Sequence, residues 1–144
     1  LSWKTILLKR ENFREAFDGF DYQKIAFYSP SKIADLASNK GIIRNKLKIR
    51  ATISNARSFM EVASEFGSFD KFIWQFTNNK TKLNHFETWE EIPAKTKESE
   101  KMSKALISRG FKFVGPTICY AYMQAAGMVM DHTVGCFRHK ELAK

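Results

Sequence analysis

The chain has 144 residues and a formal net charge of +9, a length that suits one domain with a sizeable core. The charge favours an anionic partner, nucleic acid first and an anionic membrane surface second. The sequence has no apolar run near the roughly 20 residues of a membrane-spanning helix, and no signal peptide. The two cysteines, Cys119 and Cys136, do not make a disulfide framework. These residues therefore predict neither a membrane-spanning helix nor a disulfide framework, and the cysteine usage fits a reducing cytoplasm.

Apolar residues at near-helical spacing predict helices through the first half of the chain. The first covers residues 1–20 and ends at Gly19. Ser29 and Pro30 fit an N-cap and a first helical residue for a short helix over residues 31–38. A longer helix is predicted over residues 43–66 and ends at Gly67. Its expected apolar face consists of Ile43, Leu47, Ile53, Ala56, Met60 and Ala63.

The second half continues the helical pattern after a polar interruption. Ser68 is expected to cap the next helix, and residues 80–95 read as an exposed, irregular segment. Thr96 is expected to cap a helix that runs to Arg109. No segment alternates between apolar and polar residues over the length of a strand, and there is no internal repeat. The pattern predicts an all-α fold.

The segment 109–136 carries the strongest local signal. A helix should end at Gly110, a tight loop should follow over residues 111–115, and Pro116 should open the next helix. Such a corner leaves backbone N–H groups unpaired at the positive end of a helix dipole, where a phosphate can approach them. Lys112 and Arg109 add positive charge, so the corner predicts an anion clamp. An ordinary helix–loop–helix corner is the alternative.

A second signal is the spacing of His132 and Cys136. If this segment is helical, positions i and i+4 share a face and both side chains can reach one metal ion. Zinc accepts imidazole and thiolate, but a structural site needs four ligands and the spacing supplies two. Cys119, His85 and His139 are further candidates without a supporting pattern. A hydrogen-bonded histidine and an inert cysteine are the alternative.

Four runs of the sequence resemble, in order, the bacterial DNA-3-methyladenine glycosylase I family. They are LSWKTILLKRENFREAF, GIIRNKLKIRATISNARSF, FDKFIWQF and GFKFVGPTICYAYMQAAGMVMDHTVGC, and together they span nearly the whole chain. The resemblance implies an all-α, helix-hairpin-helix DNA glycosylase-like fold. Residues 1–144 would be a single helical domain, the C-terminal three quarters of a longer protein.

The resemblance also implies a function in base-excision repair in the bacterial cytoplasm. A monomer would bind alkylated duplex DNA, turn N3-methyladenine out of the helix and hydrolyse its N-glycosidic bond. Trp3 would stack on the base, and Leu1 would wedge into the duplex. The residues that would hold the DNA backbone are Gly110, Phe111, Lys112, Gly115 and Thr117. His132 and Cys136, in a DHxxGC motif, would be half of a structural Zn²⁺ site whose other ligands lie before Leu1.

The catalytic residue cannot be named from the chain. Related helix-hairpin-helix glycosylases carry an aspartate two residues before the histidine, where this chain has Met130. Asp131 is expected to be structural, and the family's base-contacting glutamate would lie upstream of Leu1. Two rival interpretations stay open: a non-catalytic helix-hairpin-helix DNA-binding module, and a helical interaction domain whose positive charge serves solubility.

Overall fold

A computed structural model describes residues 2–143 of the chain and confirms the all-α prediction. The helices are α1 (Trp3–Leu8), α2 (Arg10–Ala16), α3 (Tyr22–Ile25), α4 (Pro30–Ser38), α5 (Lys46–Phe66), α6 (Phe69–Trp74), α7 (Lys97–Ser108), α8 (Pro116–Ala125) and α9 (Phe137–Leu142). Short 3-10 turns lie at Asp18–Phe20, Gln75–Thr77 and Trp89–Glu91. Two-residue strands, β1 (Lys82–Leu83) and β2 (Val129–Met130), pair in parallel. These strands are too short for alternation to reveal them.

The predicted caps lie where local chemistry places them. The side chains of Ser29, Ser68 and Thr96 each accept a hydrogen bond from a backbone N–H in the first turn of α4, α6 and α7. Gly67 ends α5 at φ 83° and Gly110 follows α7 at φ 87°, a left-handed conformation that glycine adopts without the Cβ penalty. The first helix is the exception, because it breaks at Lys9 into α1 and α2.

Helix α5 begins later than the sequence predicts, and its buried face differs. Asn45 caps it, so Ile43 lies before the helix. Leu47, expected on the apolar face, is 70% exposed. The buried positions are Ile49, Ala51, Ile53, Ala56, Ser58 and Val62. The predicted helix start and buried face were therefore wrong in the first turn of α5. Hydrophobicity alone assigned Ile43 and Leu47 to the buried face, whereas the helix begins only after Asn45.

Helix α5 is shared by two hydrophobic clusters. Its N-terminal half packs with α2, α3 and α4 around Phe17, Ile25 and Leu36. Its C-terminal half contributes Val62 to a cluster formed with α6, α7 and α8. Burying a large apolar side chain stabilises a fold by about 1.5–3 kcal/mol, so both clusters anchor the helix. α5 therefore forms a fixed support beside the corner between α7 and α8.

Candidate nucleic-acid interface

The corner between α7 and α8 is held firmly by the core. Thr96 and Ser99 form a reciprocal capping box at the start of α7. The Phe111 side chain is buried, with its ring centroid 6.1 Å from that of Phe69. The buried Ser103 hydroxyl donates to the Val114 carbonyl at 2.7 Å. The loop over residues 111–115 is thus tied down at both ends.

Three amides of the corner are already hydrogen bonded. Gly110 N donates to Ile107 O at 2.9 Å, and Phe111 N donates to Leu106 O at 3.1 Å, both closing the end of α7. Lys112 N donates to the Asn55 side chain at 2.8 Å. The main-chain N–H groups of Gly110, Phe111 and Lys112 are therefore not free for a phosphate, which corrects that part of the prediction. Their role is to shape the turn.

The free donors lie further along the corner. Within residues 2–143, no acceptor is within hydrogen-bonding reach of the amides of Phe113, Val114, Gly115, Thr117 and Ile118. Phe113 has φ 60°, and a residue in the left-handed region next to a turn lets successive amides converge into an anion-binding nest. Phe113, Val114 and Ile118 were absent from the predicted site, and no sequence signal marks a phenylalanine for positive φ.

The α8 N-terminus is open to an approaching group. Gly115 occupies the N-cap position at φ −62° and ψ 163°, without a side-chain cap. A Cβ built on Gly115 would meet no atom within 4 Å. Thr117, in the first turn of α8, is exposed. The unpaired amides and the positive end of the helix dipole therefore face a space that an anion can enter.

The positive charges near the corner differ from those expected. Lys112 is exposed beside the free amides. Lys48, from α5, lies with Nζ 5.7 Å from the centroid of the Phe113 ring. Arg109 is engaged elsewhere, since it pairs with Glu65 at 3.1 Å and its guanidinium lies 5.0 Å from the Phe72 ring centroid. Lys48 is therefore a cation near the corner that the sequence did not indicate, whereas Arg109 is paired with Glu65.

Trp3 lies on the surface at the start of α1. Its side chain is 83% exposed, and α1 has no buried residue. Among the residues that the structure describes, Trp3 therefore belongs to neither hydrophobic cluster. Leu1, predicted as the wedge, lies outside the described residues. The indole face is accessible to an aromatic ring.

His132 and Cys136 lie close together, although not on a helix. A turn joins them, closed by a hydrogen bond from Cys136 N to Thr133 O at 2.8 Å. Cys136 Sγ is 3.7 Å from His132 Nδ1. Two donors on one tetrahedral zinc ion, with bonds near 2.3 and 2.0 Å, lie about 3.5 Å apart, so the pair fits two ligand positions. No cluster of three or more potential ligands occurs within residues 2–143.

Asp131, next to His132, is held by three side chains. Asn84 Nδ2 donates to one carboxylate oxygen at 2.7 Å, and Gln124 Nε2 donates to the other at 2.9 Å. The Tyr120 hydroxyl also donates to this carboxylate. The arrangement matches the expected structural role, because all three donors connect the segment after β2 to its neighbours. Met130, two positions before His132, is buried.

Burial also sets the chemistry of two α8 side chains. Desolvation raises the pKa of the Tyr120 hydroxyl, and its hydrogen bond to the Asp131 carboxylate raises it further. Desolvation likewise raises the pKa of the Cys119 thiol, whose sulfur lies 3.3 Å from the Val114 carbonyl oxygen. Cys119 is therefore a packed, protonated thiol and does not join His132 and Cys136.

Two α-helices joined by a short hairpin, with amides that find no acceptor within residues 2–143, are the arrangement of a helix-hairpin-helix protein. The sequence model of methyladenine glycosylases matches residues 1–139, and the chain belongs to that family. The Escherichia coli DNA-3-methyladenine glycosylase 1 is 46% identical over 136 residues, which cover 94% of this chain and 73% of that protein. The Haemophilus influenzae DNA-3-methyladenine glycosylase is 43% identical, with 94% and 74% covered.

Solved structures agree with the sequence comparison. The fold superposes on a crystal structure of 3-methyladenine DNA glycosylase I with a TM-score of 0.89 at 45% identity, covering 95% of this chain and 75% of that one. In residues 2–143, no helix combines the length and the apolar character needed to cross a bilayer. The predicted fold and family are thus confirmed.

Proposed function

We propose that this protein is a monofunctional DNA-3-methyladenine glycosylase of base-excision repair. The observation that carries the proposal is the set of five amides at the α7–α8 corner that have no acceptor among residues 2–143, in a chain that belongs to the methyladenine glycosylase family. Its partner would be alkylated duplex DNA, bound by a monomer. The relatives' names supply the substrate, N3-methyladenine, and the corner supplies a site for the DNA backbone.

The corner would bind DNA without reading its sequence. Main-chain amides and the α8 dipole attract a phosphate, and Lys112 adds a charge that releases counterions from the duplex. Contacts to phosphate position a protein on DNA, whereas contacts to bases specify the site. The hairpin would therefore hold the enzyme on any duplex, and discrimination would come from the pocket that receives the extruded base.

Trp3 would provide part of that discrimination. N3-methyladenine carries a positive charge, and a cationic ring stacked on an indole gains about 0.5–2 kcal/mol from the electron-rich ring face. Normal adenine is neutral and gains less. The exposed indole on α1 has the accessibility that stacking requires. Extrusion costs a few kcal/mol of lost base stacking, which such contacts offset in part.

The reaction needs little help from an acid. Water adds to C1′ of the deoxyribose while the C1′–N9 bond breaks, and the bond electrons neutralise the positive charge of the departing base. The water loses one proton to solvent or to a carboxylate, and an abasic site remains. Because the leaving group departs neutral, stabilisation of the developing sugar cation is the main electrostatic demand.

A structural zinc ion is part of the proposal. The 3.7 Å separation of Cys136 Sγ and His132 Nδ1 supports these residues as two of its ligands. When bound, the ion would supply structure and no chemistry on the substrate. The pair borders an open cavity that is also lined by Trp89, Asp131 and Leu142, so further donors have room to approach.

An excision assay tests the proposal and separates it from its rival, a non-catalytic DNA-binding module. A duplex that carries N3-methyladenine is incubated with the purified protein, and released base is measured by chromatography. The proposal expects release of free N3-methyladenine and an alkali-labile abasic site. DNA binding without base release would favour the non-catalytic module. Binding insensitive to salt, or absent, would favour a helical interaction domain instead.

A further inference from the structure

The side chain of Asn55, on α5, forms two hydrogen bonds with the hairpin although α5 is not part of the helix-hairpin-helix unit. Asn55 Oδ1 accepts a hydrogen bond from Lys112 N at 2.8 Å, and Asn55 Nδ2 donates to Lys112 O at 3.0 Å. One amide thus satisfies both main-chain groups of a single loop residue, as a neighbouring β-strand would. Asparagine is the side chain whose paired donor and acceptor match this need at this length.

The surrounding residues make α5 a support for the loop. Ser58, one turn after Asn55, is buried, and its Oγ lies 3.2 Å from where a Cβ on Gly110 would stand. Lys48, two turns before Asn55, places Nζ against the Phe113 ring. Positions 48, 55 and 58 share one face of a helix. The loop from Gly110 to Phe113 therefore lies beside α5 and approaches it at three positions on this face.

The hydrogen bond from Lys112 N to Asn55 removes one amide from those that a ligand could use. With Lys112 N committed to Asn55, the next donors in the chain are those of Phe113, Val114 and Gly115, which have no acceptor within the described residues. Phe113 occupies φ 60°, a conformation that is costly for a bulky residue and persists only where its surroundings hold it. Lys112 is the adjacent residue, and Asn55 fixes both of its main-chain polar groups.

We propose that Asn55 is a positioning residue for DNA binding. Its paired hydrogen bonds hold the loop in the conformation in which the amides that follow Lys112 converge on one phosphate. Asn55 acts through the loop and touches no DNA. The inference rests on the proposed function, because it assumes that the hairpin binds a DNA backbone. Without these two hydrogen bonds the loop samples other conformations. The affinity for DNA is then reduced in proportion to the fraction of molecules whose loop is still in the binding conformation.

Substitution with a matched control tests this role. Asn55→Ala removes both hydrogen bonds. Asn12→Ala is the control, since Asn12 Nδ2 likewise donates to a loop carbonyl, Gly41 O, at 3.0 Å, away from the hairpin. Binding of an undamaged 20-base-pair duplex is measured over a range of salt concentrations. If the competent fraction falls to a tenth, Asn55→Ala loses about tenfold in affinity, while the slope of affinity against salt stays within about one unit.

Amide hydrogen exchange gives a readout that separates positioning from general stability. In Asn55→Ala, the Lys112 amide is expected to exchange faster, while the Gly110 and Phe111 amides, bonded to α7 carbonyls, stay protected. Asn12→Ala should change neither exchange in the hairpin nor DNA affinity. If Asn55→Ala does not fold, Asn55→Ser takes its place, because serine is neutral and polar but too short to bond both main-chain groups of Lys112.

The outcomes distinguish this inference from the function beneath it. Wild-type affinity in a folded Asn55 variant would overturn the positioning role and leave the proposed function intact. Equal losses in the Asn55 and Asn12 variants would also overturn it, as they would indicate general destabilisation. A wild-type protein that does not bind the duplex would refute the proposed function and this role with it. A selective loss in the Asn55 variant, together with exposure of the Lys112 amide, supports the inference.

Discussion

The Tyr120 hydroxyl, buried on α8, donates a hydrogen bond to the carboxylate of Asp131, eleven residues further along the chain. This contact fixes the segment that follows β2 against α8. Gln124 and Asn84 complete the arrangement around the same carboxylate. These three hydrogen bonds fix Asp131, the residue that precedes His132. Because the Tyr120 hydroxyl can lose its proton, the stability of the fold should depend on pH in the alkaline range.

Tyr120→Phe should lower the free energy of unfolding by about 1–3 kcal/mol at neutral pH, because a hydrogen bond to a charged group is lost. The pKa of Tyr120 is raised in the folded state. Its contribution is therefore fully present below the unfolded pKa near 10 and is lost as pH rises through the folded value. Denaturant unfolding at several pH values should show the difference between wild type and variant narrowing above about pH 10. A difference independent of pH would contradict this.

Gly115→Asp should abolish phosphate binding without damage to the fold. Gly115 has a negative φ and free space at its Cβ, and aspartate at an N-cap gains a few tenths of a kcal/mol over glycine. Because like charges at an interface cost several kcal/mol, DNA affinity should fall on the order of a hundredfold while thermal stability holds or rises.

Gly115→Asn is the matched neutral control for this prediction. Asparagine has nearly the same shape and the same capping ability as aspartate, and it lacks the charge. In a fluorescence binding titration, Gly115→Asn should lose clearly less affinity than Gly115→Asp, because its cap can occupy an amide of Thr117 or Ile118 but adds no repelling charge. Equal losses in the two variants would assign the effect to shape, and unchanged affinity in both would contradict the anion clamp.

The local features of the fold followed from the sequence, because their causes lie within a few residues. Ser29, Ser68 and Thr96 cap the helices that follow them, and glycines end α5 and α7, as their chemistry requires. The position of the hairpin followed for the same reason. The break at Lys9 could not be predicted. The apolar spacing continues across Lys9, so the pattern gives no sign that this one residue leaves helical geometry.

The identity of the free amides depended on contacts between distant parts of the chain. Asn55 bonds the main chain of Lys112, which is 57 residues away in the sequence. Glu65 pairs with Arg109, which is 44 residues away, and holds its guanidinium on that side. Phe113 also has a φ of 60°, which the local propensity of a phenylalanine does not encode. Sequence patterns therefore located the clamp, while tertiary hydrogen bonds decided which of its groups face a ligand.

Cys136→Ser and His132→Ala should each weaken zinc binding in the protein, because each removes one donor of a closely spaced pair. Zinc content after dialysis against a weak chelator, measured by mass spectrometry, provides the readout. His85→Ala is the control, as His85 is exposed and approaches His139 instead. Zinc retained equally in all three variants would remove His132 and Cys136 from the site, and loss in all three would point to a nonspecific effect.

Trp3→Ala should reduce excision of N3-methyladenine by about twofold to thirtyfold, the range that corresponds to a lost cation–π contact. Its unfolding temperature should not change, because the indole is 83% exposed and fills no cavity. Leu8→Ala is the matched control, since Leu8 is 74% exposed on the same helix and has no aromatic ring. Single-turnover excision and binding to undamaged duplex are measured for both variants. Trp3→Ala should impair excision more than binding, and Leu8→Ala should impair neither; equal losses of excision and binding in Trp3→Ala would mean that the indole does not stack on the base.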